Sequence, residues 1–142
     1  MSAIRFLRRL ALLLLFTTGI AFADSPIKVV YQFSDGLEQA SRGLRNIQNH
    51  LNAEPNVKIV AVGYGPGIDF MLDGAKDKNG ATYETTIADL AMKGVEFRVC
   101  NNTLQSRKID PAKVDQDARI VPSGVAEIGR LQAKEGFVYL KP

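Results

Sequence analysis

The sequence has one cysteine and one histidine among its 142 residues. A single cysteine excludes an intramolecular disulfide, and a single histidine provides too few ligands for a His-rich metal cluster. We therefore expect no metal site. The glycine-rich stretch Gly63 to Gly67 has neither the spacing of a dinucleotide fingerprint nor that of a P-loop, and no other motif predicts a cofactor.

The first residues have the pattern of a secretory signal peptide. Arg5, Arg8 and Arg9 precede a nearly continuous apolar run from Leu10 to Ile20, and Ala21 to Ala23 supplies an A-x-A cleavage site. The run is too short to span a membrane comfortably, so we expect no stable membrane insertion after cleavage. The sequence thus predicts a leader over 1–23 and one exported domain over 24–142, periplasmic in a Gram-negative cell. The arginine pair leaves open whether export uses the twin-arginine route.

The positive charge of the chain is concentrated in this leader. Residues 1–23 hold three arginines and no acidic residue, so their removal lowers the net charge from +3 to 0. No clustered basic face remains to neutralise phosphates, and we expect no nucleic-acid partner. A neutral surface offers little resistance to self-association, which favours a homo-oligomer.

Hydrophobic periodicity predicts alternating strands and helices. Strands are expected over 27–33, 57–62, 95–100, 118–121 and 137–140, and helices over 37–51, 68–72, 81–93, 101–108 and 125–134. Leu37 and Val125 are each expected to face the core at the start of a helical stripe. The alternation predicts an α/β fold, an open sheet with helices on both faces.

Ligands of such sheets bind beyond the carboxyl ends of the strands. The segments that follow the first four strands are Ser34 to Gly36, Gly63 to Gly67, Cys100 to Thr103 and Pro122 to Gly124. Glycines in these loops permit close approach of backbone amides to a ligand, although a tight turn needs the same residues. The predicted binding residues in the second and fourth loops are Tyr64, Gly65, Gly67, Ser123 and Gly124.

The single cysteine ends the third predicted strand. Asn101, Asn102 and Thr103, which are typical helix-capping residues, follow it directly. Amide groups at a helix start favour a thiolate. Asn101, Asn102 and Thr103 are therefore predicted to be ligand-binding residues beside a reactive Cys100. The other interpretation is a buried cysteine that acts as a small hydrophobe. An unpaired cysteine in an oxidising compartment favours a bridge between chains or a thiol kept for reaction.

Several segments together resemble the exported branch of the DsrE/DsrF-like family. These are Val99 to Leu104, Tyr64 to Asp69, Val121 to Ile128 and Leu131 to Pro142. The resemblance extends over 27–142 and implies a three-layer α/β/α domain with a parallel five-stranded sheet, its last strand beside its first. Sulfur-relay relatives carry a persulfide on a cysteine after the third strand, which matches Cys100, and they assemble into dimers, trimers or hexamers.

The resemblance implies a sulfur (persulfide) carrier or thiol-reactive protein, with Cys100 as its catalytic residue and with sulfur donor and acceptor proteins as partners. The alternative is a non-catalytic module with a buried Cys100 that binds a small ligand or serves as a structural oligomer subunit. A Cys–His hydrolase is disfavoured, because His50 lies in the first predicted helix, away from the strand ends.

Overall fold

A computed structural model describes residues 25–142, and the predicted signal peptide lies outside these residues. The strands are β1 (Lys28–Phe33), β2 (Lys58–Gly63), β3 (Glu96–Cys100), β4 (Ala118–Val121) and β5 (Val138–Leu140). The α-helices are α1 (Leu37–Ala53), α2 (Tyr83–Met92), α3 (Asn101–Ser106) and α4 (Gly124–Glu135). Two 3-10 helices cover Gly65–Met71 and Pro111–Lys113.

The five strands form one parallel sheet in the order β4-β3-β2-β1-β5. Gly63, at the end of β2, pairs with Phe33 of β1 and with Val99 of β3, and Cys100 pairs with Val121 of β4. The loops that follow these strands therefore lie along one edge. This arrangement confirms the predicted parallel five-stranded α/β fold, including the last strand beside the first.

One face of the sheet packs against α1, α2 and the first 3-10 helix. The ring of Phe70 lies at the centre of this layer, with centroids 5.0 Å from Phe33, 5.9 Å from Tyr83 and 6.3 Å from Phe97. Aromatic pairs at such distances and tilted angles add about 0.5–1.5 kcal/mol each beyond the area that they bury. This aromatic cluster links β1 and β3, the strands on either side of β2, through the first 3-10 helix.

The opposite face packs against α4 alone. The apolar side chains buried between the helix and the sheet are Val30, Val60, Val62, Ile128, Leu131 and Phe137. Gly136 ends α4 in the left-handed conformation, which is common for glycine at the C-terminal end of a helix. The domain thus has three layers, with two helices and a 3-10 helix on one face and one helix on the other.

Two of the predicted core positions are wrong. Leu37 is 39% exposed and Val125 is 63% exposed. The buried residues that begin the two stripes are Gln39 in α1 and Gly124 in α4. Gln39 lies two positions after Leu37, and Gly124 lies one position before Val125. The buried face of the first turn of each helix is therefore rotated from the face that hydrophobicity alone predicts.

Gln39 is buried because its side chain forms hydrogen bonds with the loop that leads into α1. Its Oε1 accepts hydrogen bonds from the backbone N–H groups of Ser34 at 2.7 Å and Asp35 at 2.8 Å. The N-cap is Gly36, without a side-chain capping bond. The glutamine at the third helical position thus holds the loop that leads into α1.

The first 3-10 helix begins at Gly65, three residues earlier than predicted, with Pro66 in its first turn. Proline is favoured there because its fixed φ suits a helix start. Gly67 brings this helix against the end of β1: a methyl group on Gly67 would lie 2.0 Å from the Phe33 carbonyl oxygen. Only glycine allows this approach.

We predict that Gly67→Ala lowers the free energy of unfolding by about 2–3 kcal/mol, because the 3-10 helix must move away from β1. Gly129→Ala is the matched control, since nothing lies within 4 Å of a methyl group at that helical position. The control should gain about 0.5–1 kcal/mol from helix propensity. Urea denaturation of both variants checks the difference, and equal stabilities would contradict the close approach at Gly67.

Candidate functional site

Cys100 is the last residue of β3 and the N-cap of α3. Its side chain lies on the α4 face of the sheet, because Phe97 and Val99 face the other core and side chains alternate along a strand. The residue is 5% exposed. The thiol therefore sits at a strand end, beneath the start of α4.

Polar groups of three neighbouring residues lower the pKa of the Cys100 thiol. Burial raises the pKa of this thiol, but the backbone N–H groups of Gly124, Thr103 and Asn102 and the hydroxyl of Thr103 oppose that effect. The net result is a pKa below the ordinary thiol value. The site thus favours a thiolate, which is the nucleophilic form of cysteine.

The Thr103 hydroxyl is oriented by the loop after β2. Its oxygen accepts a hydrogen bond from the Gly65 backbone N–H at 2.9 Å. The hydroxyl hydrogen therefore remains available for the Cys100 sulfur. Arg107 fixes the same loop, because its guanidinium donates to the Gly65 carbonyl oxygen at 3.1 Å and to Asp69 at 2.6 Å.

Gly124 is the point where α4 meets the thiol. A methyl group on Gly124 would lie 3.1 Å from Cβ of Tyr64, 3.2 Å from Cβ of Cys100 and 3.3 Å from the Gly63 carbonyl oxygen. The missing side chain lets the Gly124 amide approach the sulfur. Ser123 precedes it as the N-cap of α4, and its Oγ accepts from the Ala126 N–H at 3.3 Å.

Tyr64 lies in the loop after β2, and its side chain extends toward β1 and β5. Its hydroxyl accepts a hydrogen bond from Gln32 Nε2 at 2.5 Å, and Gln32 Oε1 accepts one from the Tyr139 hydroxyl at 2.5 Å. The amide of Gln32 thereby joins two tyrosines on the α4 face. This polar chain was not predicted from the sequence, since Gln32 and Tyr139 lie inside strands.

The predicted site residues thus separate into two groups. Cys100, Thr103, Gly65, Tyr64 and Gly124 converge on the thiol, together with the backbone amide of Asn102. The other predictions have different surroundings: Gly67 packs on Phe33, Ser123 caps α4, and the side chains of Asn101 and Asn102 are half-buried and exposed, respectively. The asparagines lie in the first turn of α3, because Cys100 itself is the N-cap.

His50 does not take part in this site. Its Nδ1 lies 2.9 Å from the hydroxyl of Tyr31, and its Nε2 lies 3.6 Å from Glu54 near the end of α1. Tyr31 belongs to the core of the opposite face of the sheet. A Cys–His pair is therefore not formed within residues 25–142.

A cavity of about 470 Å³ lies elsewhere on the domain, between α1, Lys78 and the start of α2. Its lining includes Ser41 and Tyr83, whose hydroxyls are 2.6 Å apart, and Cys100 is not part of it. Among residues 25–142, no three His, Cys, Asp or Glu side chains are arranged to hold a metal ion. No helix in that range has the length and apolar character needed to cross a membrane.

Comparison with known proteins gives a family and three similar folds. A sequence model of the DsrE/DsrF-like family matches residues 27–142. The structure is similar to that of MTH1491, a protein of unknown function from Methanobacterium thermoautotrophicum, with 25% identity, a TM-score of 0.71, and 83% of this chain and 100% of that chain covered. No curated protein matches the chain.

Two further structures show the same fold at lower identity. The ychN protein from E. coli has 17% identity and a TM-score of 0.65, with 83% of this chain and 99% of that chain covered. BT1422 from Bacteroides thetaiotaomicron has 13% identity and a TM-score of 0.59, with 81% of this chain and 94% of that chain covered.

Gly124→Ala is expected to raise the thiol pKa toward about 8.5, because the new methyl group displaces the amide from the sulfur. The same crowding should cost about 1–2 kcal/mol of stability. The pH dependence of alkylation by iodoacetamide measures the thiol pKa directly. Gly129→Ala, in the same helix, should leave the titration midpoint unchanged, and an equal midpoint in Gly124→Ala would contradict the role of the amide.

The lowered thiol pKa also predicts how stability depends on pH. Between the folded-state pKa and about 8.5 the unfolded chain binds more protons, so the stability contributed by Cys100 rises with pH there. It is fully present above the unfolded-state value and is lost as the pH falls through the folded-state value. Urea unfolding of wild type and Cys100→Ser under reducing conditions, between about pH 6 and pH 9.5, should show this growing difference. A constant difference would refute it.

Proposed function

This chain belongs to the DsrE/DsrF-like family, and from that premise we propose that it is a sulfur carrier in which Cys100 holds a persulfide. The observation that carries the proposal is the position of Cys100 at the start of α3, where a methyl group on Gly124 would lie 3.2 Å from its Cβ. The amides of Gly124, Thr103 and Asn102 and the Thr103 hydroxyl lower the pKa of this thiol. These donors stabilise negative charge at the sulfur atom whether it belongs to a thiolate or to a persulfide anion. A cysteine serving only as packing needs no such donors.

The proposed step is a thiol–persulfide exchange. The Cys100 thiolate attacks the outer sulfur of a donor persulfide, R–S–SH, and a new S–S bond forms as the donor S–S bond breaks. The donor leaves as a thiolate that takes up the proton, giving R–SH and an anionic Cys100 persulfide. The acceptor's thiolate later attacks the outer sulfur in the same way, so no external oxidant or reductant is consumed.

The surroundings of Cys100 favour transfer over hydrolysis. Hydrolysis requires a general base to activate water, and the histidine that could serve, His50, lies on the other face of the sheet. Exchange requires only an activated sulfur and a donor that can approach it. The donor and the acceptor are proposed to be proteins carrying reactive thiols.

A second candidate function is supported by the burial of Cys100. At 5% exposure the thiol is hardly accessible to a protein donor without movement of Tyr64 or of the start of α4. A module that binds a small ligand at this edge, or that serves as a structural subunit, would keep such a thiol permanently covered. The two candidates differ in whether the folded protein reacts.

The export and assembly of the protein belong to the same proposal. The leader pattern of residues 1–23 supports membership of the exported branch and a periplasmic location. The edge strand β5 exposes Val138, Tyr139 and Leu140, and an exposed apolar edge supports a homo-oligomer, a dimer, trimer or hexamer.

The test uses mature protein and a small-molecule persulfide such as that of glutathione. We expect folded wild-type protein to gain the mass of one sulfur atom and to pass it to an added thiol, whereas Cys100→Ser should gain none. Iodoacetamide should alkylate the folded protein with a midpoint below about 8.5. Alkylation that occurs only after unfolding would contradict the carrier and support the binding module.

A further inference from the structure

Arg98 is a buried arginine on the same face of β3 as Cys100. The residue is 4% exposed and lies two positions before the cysteine, so both side chains point toward α4. A guanidinium removed from water requires charged partners, since an unpaired buried charge is strongly destabilising. Its partners therefore indicate what Arg98 does.

The guanidinium of Arg98 donates hydrogen bonds to Glu127 of α4 and, at 2.6 Å, to Glu96. Within residues 25–142 its Nε has no hydrogen-bond partner. Arg130 also donates to Glu127 at 3.0 Å, and Arg119 of β4 lies 3.9 Å from both carboxylates. Hydrogen bonds from Arg130 and the charge of Arg98 hold the pKa of Glu127 below its usual value, so the pair is charged at neutral pH.

The contacts of α4 with the sheet show why this pair matters. Its apolar cluster draws on β1 and β2, through Val30, Val60 and Val62, and on Phe137 just before β5. No β3 residue belongs to that cluster in the described part of the chain, because β3 presents Glu96, Arg98 and Cys100 to this face. The Arg98–Glu127 ion pair is thus the polar attachment of α4 to β3.

The Arg98–Glu127 ion pair lies next to the contact between Cys100 and Gly124. Arg98 and Cys100 are about 6.6 Å apart along the strand, and Glu127 follows Gly124 by about 4.5 Å along the helix axis. The contact between Arg98 and Glu127 therefore lies beside the contact between Cys100 and Gly124. Two neighbouring contacts therefore fix both the distance and the direction of the first helical turn over β3.

We infer that Arg98 and Glu127 are positioning residues for the thiol: their buried ion pair holds the first turn of α4 against β3 and keeps the Gly124 N–H directed at the Cys100 sulfur. The inference rests on the proposed function, because the position of this amide matters only if Cys100 reacts as an anion. Neither residue reacts with sulfur itself.

The experiment compares iodoacetamide pH profiles of mature wild type, Arg98→Met/Glu127→Leu, and Arg119→Gln. Replacing both partners with apolar side chains avoids an unpaired buried charge, so the double variant should fold. Its midpoint should rise by at least about 0.5 pH unit, which lowers the alkylation rate near neutral pH roughly threefold. Arg119→Gln removes a neighbouring positive charge in register with Arg98 but leaves the ion pair intact, and it should match wild type.

Two single variants complete the test and replace the double variant if circular dichroism shows that it is unfolded. Glu127→Leu removes the acceptor of Arg98 and should raise the midpoint, even though the loss of a negative charge by itself would lower the thiol pKa. Arg98→Lys keeps a cation near Glu127 and should retain most of the wild-type behaviour. A lowered wild-type midpoint that persists in the double variant or in Glu127→Leu overturns the positioning role and leaves the carrier proposal intact. An ordinary midpoint in wild type itself would instead count against the carrier proposal.

Discussion

The contact between the start of α4 and the end of β3 determines the chemistry of the thiol. A residue with no side chain, Gly124, lets the helix begin within reach of the Cys100 sulfur. The amide that is thereby exposed at the helix start becomes a donor to that sulfur. Without this approach, the Gly124 amide would no longer oppose the effect of burial, which raises the thiol pKa.

The donors at the sulfur come from separate parts of the chain. Asn102 and Thr103 follow Cys100 directly, whereas Gly124 arrives after another strand and Gly65 orients Thr103 from the loop after β2. A parallel sheet makes such convergence possible, because every strand delivers its following loop to the same edge. Each pKa unit gained at the sulfur corresponds to about 1.4 kcal/mol of differential stabilisation of the anion. The fold therefore directs several groups, each of which lowers the thiol pKa, toward the Cys100 sulfur.

The sequence was sufficient to predict the architecture and the edge where the site lies. Apolar periodicity located all five strands, and β4 begins and ends as predicted. Periodicity was wrong at Leu37 and Val125, since contacts of the first helical turn depend on whether a polar cap or a glycine faces inward. The Gln32–Tyr64–Tyr139 chain and the Arg98–Glu127 pair could not be predicted either. Such pairs depend on the register and spacing of elements that are distant in sequence, and a single sequence does not specify them.

The pairing of β5 with β1 has a consequence for how the chain folds. Val29 and Val138, at opposite ends of the described chain, are neighbours in the sheet. β1 therefore keeps one hydrogen-bonding edge unsatisfied until β5 is available to pair with it. Contacts so distant in sequence raise the contact order and slow folding. The sheet thus remains incomplete, with β1 open on one side, until the most C-terminal strand of the described residues has joined it.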